Sequence, residues 1–168
     1  PAGPYQLLDY PDRGLRLGPR PGGYWDGVWT QNPVVLRLRR KAGFLVFYAG
    51  GNDTSFHWGV GNAGIAVAFA PTLDGPWQRP NAPCLRPLPA PSWEAGGVAN
   101  PAALVFEDNS ILLAYRGAKD DGIAFASAPA WDKPFTRLFG GRRLFVNMAL
   151  EDPFLLTSTR GLHMLMHY

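Results

Sequence analysis

Apolar stretches and short polar turns alternate along this chain in a pattern that occurs three times. Each copy starts with Asn-Pro or Asp-Pro and continues as an apolar segment, a polar turn and a second apolar segment, which is the pattern of a β-hairpin. Self-similarity at a period of tens of residues predicts an array of repeats that stack on one another. The copies start at Asn32-Pro33, Asn100-Pro101 and Asp152-Pro153, and their turns lie at 40–43, 107–110 and 158–161.

The first two copies remain similar beyond the hairpin. The segment 64–71 (GIAVAFAP) matches 122–129 (GIAFASAP), and a turn with an aromatic residue follows in both, Trp77 in one and Phe135 in the other. Four short strands in each copy are typical of a β-propeller blade. No long stretch shows the periodicity of an amphipathic helix, so the sequence predicts an all-β protein with little helix.

The copies divide the chain into a lead-in and a repeat region. Residues 1–31 are rich in Pro, Gly and Arg as far as Gly23 and predict an extended segment with little regular structure. A closed propeller needs at least four blades, and an open wedge exposes apolar faces and strand edges. We therefore expect a fragment of a longer protein, or the ordered part of one, with the remaining blades as partner. The predicted partial propeller spans 32–168, with blades at 32–88 and 100–146 and a half blade at 152–168.

Composition and charge favour a folded protein that does not bind nucleic acid. The 20 Gly and 17 Pro suit many tight turns, and 46% hydrophobic residues is too high for a disordered chain. The net charge of +3 is mild. The densest basic cluster, at 37–41, falls on a predicted strand end and hairpin turn, where it is solvated. We therefore expect no nucleic-acid partner.

Three features of the sequence bear on the cellular location of the protein: its cysteine content, its apolar runs and a glycosylation sequon. Cys84 is the single cysteine, so no disulfide can form within the chain. No apolar run is long enough to span a membrane and no signal peptide is visible, so we expect no membrane partner. The glycosylation sequon Asn52-Asp53-Thr54 favours the extracellular space or the secretory pathway.

One end of the presumed propeller collects the residues with binding chemistry. In an up-and-down blade the second strand returns to the rim from which the first strand leaves, so the segments before strand one and after strand two share a face. Loops on a rigid scaffold commonly carry binding residues. The side chains on this face that we select as candidate substrate contacts are Asn32, Asp53, His57, Trp58, Trp93, Glu94, Asn100 and Arg116.

The repeated X-Pro starts, the polar hairpin turns and the Gly-Ile-Ala-x-Ala third strands resemble the five-bladed β-propeller glycoside hydrolases of family 43, which include arabinanases, β-xylosidases and arabinofuranosidases. The resemblance covers about Trp25 to Tyr168. It implies a part of a five-bladed β-propeller, about two and a half blades, that acts on a polysaccharide or glycoconjugate. In that family a first Asp-Pro supplies the general base, a second Asp-Pro tunes the acid, and Glu-Gly-Pro supplies the general acid.

Carried onto this chain, the resemblance places the base at Asn32, the tuning residue at Asn100 and the acid at Glu151, with Asp152 beside it. Glycoside hydrolysis needs two carboxyl groups on opposite sides of the scissile bond. A carboxamide is not basic near neutral pH, but it can donate and accept hydrogen bonds to a sugar hydroxyl. A different carboxylate therefore supplies the base, or the site binds sugar without cleaving it. The other carboxylates nearby are Asp26, Asp53 and Glu94.

Each candidate also has a structural interpretation. Asn before Pro commonly opens a strand, Glu151-Asp152 can be a solvated loop pair, and Trp58 and Trp93 can pack between blades. His163 and His167 fall on one face of a strand, but a metal site needs more ligands than this pair, so we expect no metal and no cofactor. Three functions stay open: a glycoside hydrolase, a carbohydrate-binding propeller without activity, and a structural or protein-interaction propeller.

Overall fold

The computed structural model describes residues 17–53, 63–117, 122–145 and 150–167. Within these ranges the chain is all-β, with a single short 3₁₀ segment at Leu138–Gly141. No helix in the described part is long and apolar enough to cross a membrane. The strands are β1 (Trp29–Arg37), β2 (Phe44–Gly51), β3 (Gly64–Ala70), β4 (Val98–Val105), β5 (Ile111–Gly117), β6 (Ile123–Ala128), β7 (Thr136–Arg137), β8 (Glu151–Ser158) and β9 (Gly161–His167).

The strands form three antiparallel sheets that correspond to the three copies in the sequence. Their orders are β1-β2-β3, β4-β5-β6-β7 and β8-β9, and we call them the first, second and third repeat. The three hairpin turns lie where the polar segments predicted them. Each of these turns joins strands that are adjacent in the sheet, because an antiparallel pair needs only a short connection.

The fourth strand of each complete repeat is rudimentary. In the second repeat it is β7, which has two residues. In the first repeat it is reduced to two isolated bridges, from Phe69 to Gln78 and from Ile65 to Leu85. Pro80 and Pro83 lie between these bridges. Because proline cannot donate a backbone hydrogen bond, the segment cannot form a continuous ladder beside β3.

The repeats stack face to face, and the contact between the first two defines two faces. We call the face that packs on the following repeat the front, and the opposite face the back. On the front of the first repeat, Val34, Phe47 and Val67 are side by side in register. They share an apolar cluster with Ala103 and Leu113, which are paired on the back of the second repeat.

The second and third repeats meet in the same way. Ala102 and Ala114 are paired on the front of the second repeat. They share a second apolar cluster with Leu155 and Met164, which are paired on the back of the third repeat. Burial of each large apolar side chain in such a cluster contributes about 1.5 to 3 kcal/mol, so these two interfaces hold the repeats in a fixed order.

Candidate functional site

The three X-Pro starts converge on one concavity of about 300 Å³. Asn100 Nδ2 donates a hydrogen bond of 2.6 Å to Asp152 Oδ1, which links the second and third repeats across it. The polar side chains are two carboxamides and one carboxylate, so the concavity offers both donors and acceptors. Its lining consists of Asn32, Pro33, Val34, Asn100, Pro101, Asp152, Pro153 and Phe154.

A β-bulge at the start of each repeat brings these side chains together. Pairing in register stops before the dipeptide and resumes after it in β1, β4 and β8, so that two residues face one on the neighbouring strand. Asn32, Asn100 and Asp152 have φ of 51°, 48° and 47°. Asn and Asp tolerate this left-handed region better than most residues, and the following proline donates no ladder bond that the bulge would break. The backbone therefore selects the same residue types that the site uses.

The bulges also fix which residues are equivalent. Asp152 is the counterpart of Asn32 and Asn100, whereas Glu151 corresponds to Gln31 and Ala99, which precede those residues. The resemblance had placed Glu151 in the acid position of the family motif. By position in the fold, Asp152 is therefore the single carboxylate among three equivalent side chains, and Glu151 lies one residue before it.

Glu151 lies beside the concavity in a charged group. Its side chain is 34% exposed, and its Oε1 is 3.0 Å from Arg116 Nη2 at the end of β5. Glu151 is paired in register with His167, and potential ligand atoms of Glu151, Asp152 and His167 all lie within 4.8 Å of one another. His163 Nε2 is 2.7 Å from Ser158 Oγ. His163 and His167 both belong to β9 and lie on the same face of that strand, as the sequence predicted.

The trio of Glu151, Asp152 and His167 has the oxygen and nitrogen donors that can hold a divalent cation. The guanidinium of Arg116 already balances the charge of Glu151, which opposes a cation at the same carboxylate. Exposed acidic groups are also common without an ion. The absence of a metal therefore stays a prediction from the sequence.

Glu94 and Trp93, two of the candidate substrate contacts, lie in a packed network outside the concavity. Glu94 is 0% exposed, and its carboxylate accepts hydrogen bonds from the Tyr115 hydroxyl at 2.7 Å and from Arg137 Nε at 2.9 Å. Trp93 stacks on Tyr115 and donates from Nε1 to the Gly141 carbonyl at 2.9 Å. Burial and the adjacent Glu94 carboxylate raise the pKa of Tyr115 well above its ordinary value. In this structure both residues therefore hold the fold together.

Asp26, which the sequence offered as an alternative base, has the same kind of environment in the first repeat. It is 0% exposed, and it accepts hydrogen bonds from Tyr48 Oη at 2.9 Å and Arg20 Nε at 2.8 Å. Trp25 stacks on Tyr48, as Trp93 does on Tyr115. Burial, with the Asp26 carboxylate, raises the pKa of Tyr48 well above its ordinary value. A carboxylate without solvent access cannot activate a water molecule in the concavity.

The remaining candidate contacts lie apart from the concavity or outside the described residues. Asp53 follows β2, is half-buried and does not line the concavity. His57 and Trp58 fall outside the described residues. Of the selected contacts, Asn32 and Asn100 line the concavity. Arg116 does not line it, but forms an ion pair with Glu151, which lies beside it.

Cys84 lacks the environment of a reactive cysteine. Its Sγ is 3.3 Å from the Ile65 carbonyl, to which it can donate, and burial raises the pKa of the thiol to about 12. The thiolate fraction at pH 8 is then on the order of a thousandfold lower than in an unfolded chain. We expect alkylation by iodoacetamide at pH 8 to be at least a hundredfold slower in buffer than in 8 M urea. Equal rates would show that the thiol is not protected.

Comparison with known proteins adds information at the level of the fold. No protein-family model and no curated protein matches the chain. A candidate glycosidase from Bacteroides thetaiotaomicron superimposes with a TM-score of 0.66 at 16% identity, over 83% of this chain and 45% of its own. A family 117 glycoside hydrolase from the marine bacterium Zobellia galactanivorans gives a TM-score of 0.66 at 16% identity, over 89% of this chain and 52% of its own.

A glycosyl hydrolase from Bacteroides ovatus matches with a TM-score of 0.62 at 17% identity, over 94% of this chain and 53% of its own. The chain spans about half the length of these three proteins. The chain has a glycosidase-like all-β fold. At these identities the likeness establishes the fold alone, because one fold can host unrelated functions.

Proposed function

We propose that the concavity at the three X-Pro starts is a carbohydrate-binding site. The observation that carries the proposal is the convergence of Asn32, Asn100 and Asp152, with polar ends on a shared cavity and proline rings between them. Amide and carboxylate groups can bind several hydroxyls of one sugar ring, and the prolines offer apolar contact to its C–H face. The fold shared with glycoside hydrolases supports the same ligand class.

We further propose that the fold is part of a propeller whose complete form has five blades, with the lead-in and blade limits predicted from the sequence. The front-on-back stacking of the repeats supports the propeller. The resemblance to family 43 supports the number five. An extracellular or secretory location is also a proposal, and it is supported by the sequon at Asn52.

The binding proposal is tested by removing the two amides without disturbing the bulges. Asn32→Gly and Asn100→Gly each delete a side chain while accepting the positive φ that an alanine would resist. A lost hydrogen bond costs about 0.5 to 1.5 kcal/mol, so we expect the dissociation constant of each variant to rise about two- to tenfold. Isothermal titration with xylo-, arabino- and galacto-oligosaccharides provides the measurement.

Asn81→Gly is the matched control, because Asn81 is an exposed amide that does not line the concavity. Its affinity should equal that of the unmodified chain. Unchanged affinity in both Asn32→Gly and Asn100→Gly would place sugar binding elsewhere. No binding of any of these oligosaccharides by the unmodified chain would favour the structural or protein-interaction propeller.

Hydrolysis is a second candidate function, favoured by the two carboxylates at the site: Asp152 lines the concavity, and Glu151 lies beside it. In this scheme Glu151 is the general acid, and Asp152 is the neighbouring carboxylate that assists or replaces it. The base position of the resembled family is Asn32, which has no basicity.

A further inference from the structure

A second polar cavity, of about 380 Å³, lies at the end of the first repeat where the X-Pro start also lies. Asn52 follows Gly51, which is paired with Trp29 at the start of β1. Arg86 follows Leu85, which bridges to the start of β3. Both side chains therefore lie beyond the end of the sheet rather than on the front or the back. The cavity is lined by Trp25, Asn52, Arg86 and Pro87.

The second cavity is close enough to the concavity for one extended ligand to enter both. Neighbouring strands lie about 4.8 Å apart, so the segment beyond β3 is about 14 Å from β1. Asn32 belongs to β1, and Arg86 follows the segment beyond β3. A single sugar ring does not span this distance, whereas an oligosaccharide of a few rings does.

Arg86 gives the second cavity a positive charge that no described carboxylate neutralises. The arginines that support the buried acids are paired, Arg79 with Asp26 and Arg137 with Glu94. Among the described residues, the guanidinium of Arg86 belongs to no ion pair. A guanidinium matches a carboxylate or a sulfate in shape, because it can donate two parallel hydrogen bonds to one anion.

The fold does not require a charge at this place. Leu85 and Leu144 form the corresponding bridges of the first two repeats. The residue that follows the bridge is Arg86 in the first repeat and Phe145 in the second. Arg137 Nη2 donates a hydrogen bond to the Arg86 carbonyl, so the backbone of Arg86 is held while its side chain is exposed. A supported backbone with an unpaired side chain is the arrangement of a binding residue.

We propose that the second cavity binds an acidic group of a glycan, a carboxylate or a sulfate, while another sugar of the same glycan occupies the concavity. Arg86 binds the anionic group, and the Asn52 amide binds a hydroxyl. Trp25 and Pro87 offer apolar contact to the C–H face of the sugar. The inference rests on the proposed sugar binding in the concavity, and it adds the charge and the length of the ligand.

The test compares acidic oligosaccharides with their neutral forms. The four ligands are a galacturonate tetrasaccharide, its methyl ester, a sulfated galactose tetrasaccharide and its desulfated form. Charge-assisted hydrogen bonds should make the acidic form bind on the order of tenfold to a hundredfold more tightly in isothermal titration at low salt. A preference in one pair identifies a carboxylate or a sulfate as the group bound. The 168-residue chain is produced in bacteria, so that Asn52 of the sequon carries no glycan.

Arg86→Ala should abolish the preference for the acidic form and leave the affinity for the neutral form unchanged. Arg86→Lys should retain part of the preference, because the charge remains and the paired hydrogen bonds are lost. Arg40→Ala is the matched control, since Arg40 is an exposed arginine in the turn between β1 and β2, at the opposite end of the sheet. It should retain the full preference.

Asn32→Gly should weaken binding of the acidic and the neutral form by the same factor, because both occupy the concavity. Acidic binding that Asn32→Gly leaves unchanged would overturn the shared occupancy of the two cavities. Equal affinity of the unmodified chain for acidic and neutral forms, or a preference that persists in Arg86→Ala, would overturn the acidic ligand while sugar binding stands. Failure to bind any of the four ligands would contradict the proposed sugar binding itself, and with it this inference.

Discussion

Replacing Glu94 with alanine is expected to lower the free energy of unfolding by about 3 to 5 kcal/mol, the usual cost of removing one partner of a buried ion pair. The carboxylate is fully buried, and it accepts hydrogen bonds from Tyr115 and from the guanidinium of Arg137. Its removal leaves the Arg137 charge without its counterion in a packed environment. Urea unfolding, with both proteins at the same concentration, measures the change.

Asp132→Ala provides the control for Glu94→Ala. Asp132 also pairs with a basic residue, Lys133, but both side chains are more than half exposed. Exposed pairs contribute little, so we expect a change within about 0.5 kcal/mol. Tyr115→Phe removes one donor of the network and should cost about 1 kcal/mol. A loss below 1 kcal/mol in Glu94→Ala would contradict the structural role assigned to this carboxylate.

Much of the fold could be predicted because its strands are encoded locally. The alternation of apolar segments and polar turns places each hairpin within a few residues, and Asn-Pro or Asp-Pro marks each start. The structure explains this mark, since Asn32, Asn100 and Asp152 occupy a left-handed bulge that few residues tolerate. A backbone requirement repeated at equal places in the fold was therefore visible as a repeated dipeptide.

The roles of the buried acids could not be predicted in the same way. Trp93-Glu94 was interpreted as a sugar contact because it precedes a strand start, and burial depends on a partner far along the chain. Arg137 is 43 residues away from Glu94. One sequence signal was available: a Trp-acid pair and a Tyr occur at matching places in the first two repeats. In the third repeat the sequence has Phe145 and Val146 in place of the Trp-acid pair and Met166 in place of the Tyr.

In the candidate site too, features fixed within one strand could be predicted from the sequence, and contacts between strands or repeats could not. Each X-Pro start is fixed locally, because it forms a bulge in the first strand of its repeat. The ion pair between Glu151 and Arg116 joins β8 to the end of β5, and the proximity of His167 depends on the register between β8 and β9. These contacts depend on how the repeats stack and pair, which a single sequence does not specify to one residue.

If the protein cleaves glycosides, Glu151→Gln should reduce kcat on the order of a hundredfold to ten-thousandfold, because the amide keeps the shape of the side chain but cannot deliver a proton. Sugar affinity should change little, since Asn32, Asn100 and Asp152 remain in place. Release of 4-nitrophenol from aryl glycosides measures kcat, and titration with oligosaccharides measures affinity. Glu107→Gln is the control, an exposed carboxylate in the hairpin turn between β4 and β5. Full activity in Glu151→Gln would remove the acid assignment.

Asn32→Asp is the complementary variant, because it supplies a carboxylate at the position where the resembled family has its base. A carboxylate can accept a proton from water and an amide cannot, so hydrolysis of aryl glycosides should rise in this variant if the missing base limits the reaction. The gain should disappear in the double variant with Glu151→Gln, since each carboxyl group needs the other. An unmodified chain and an Asn32→Asp variant that bind the same sugars equally and cleave none would identify the concavity as a binding site without catalysis.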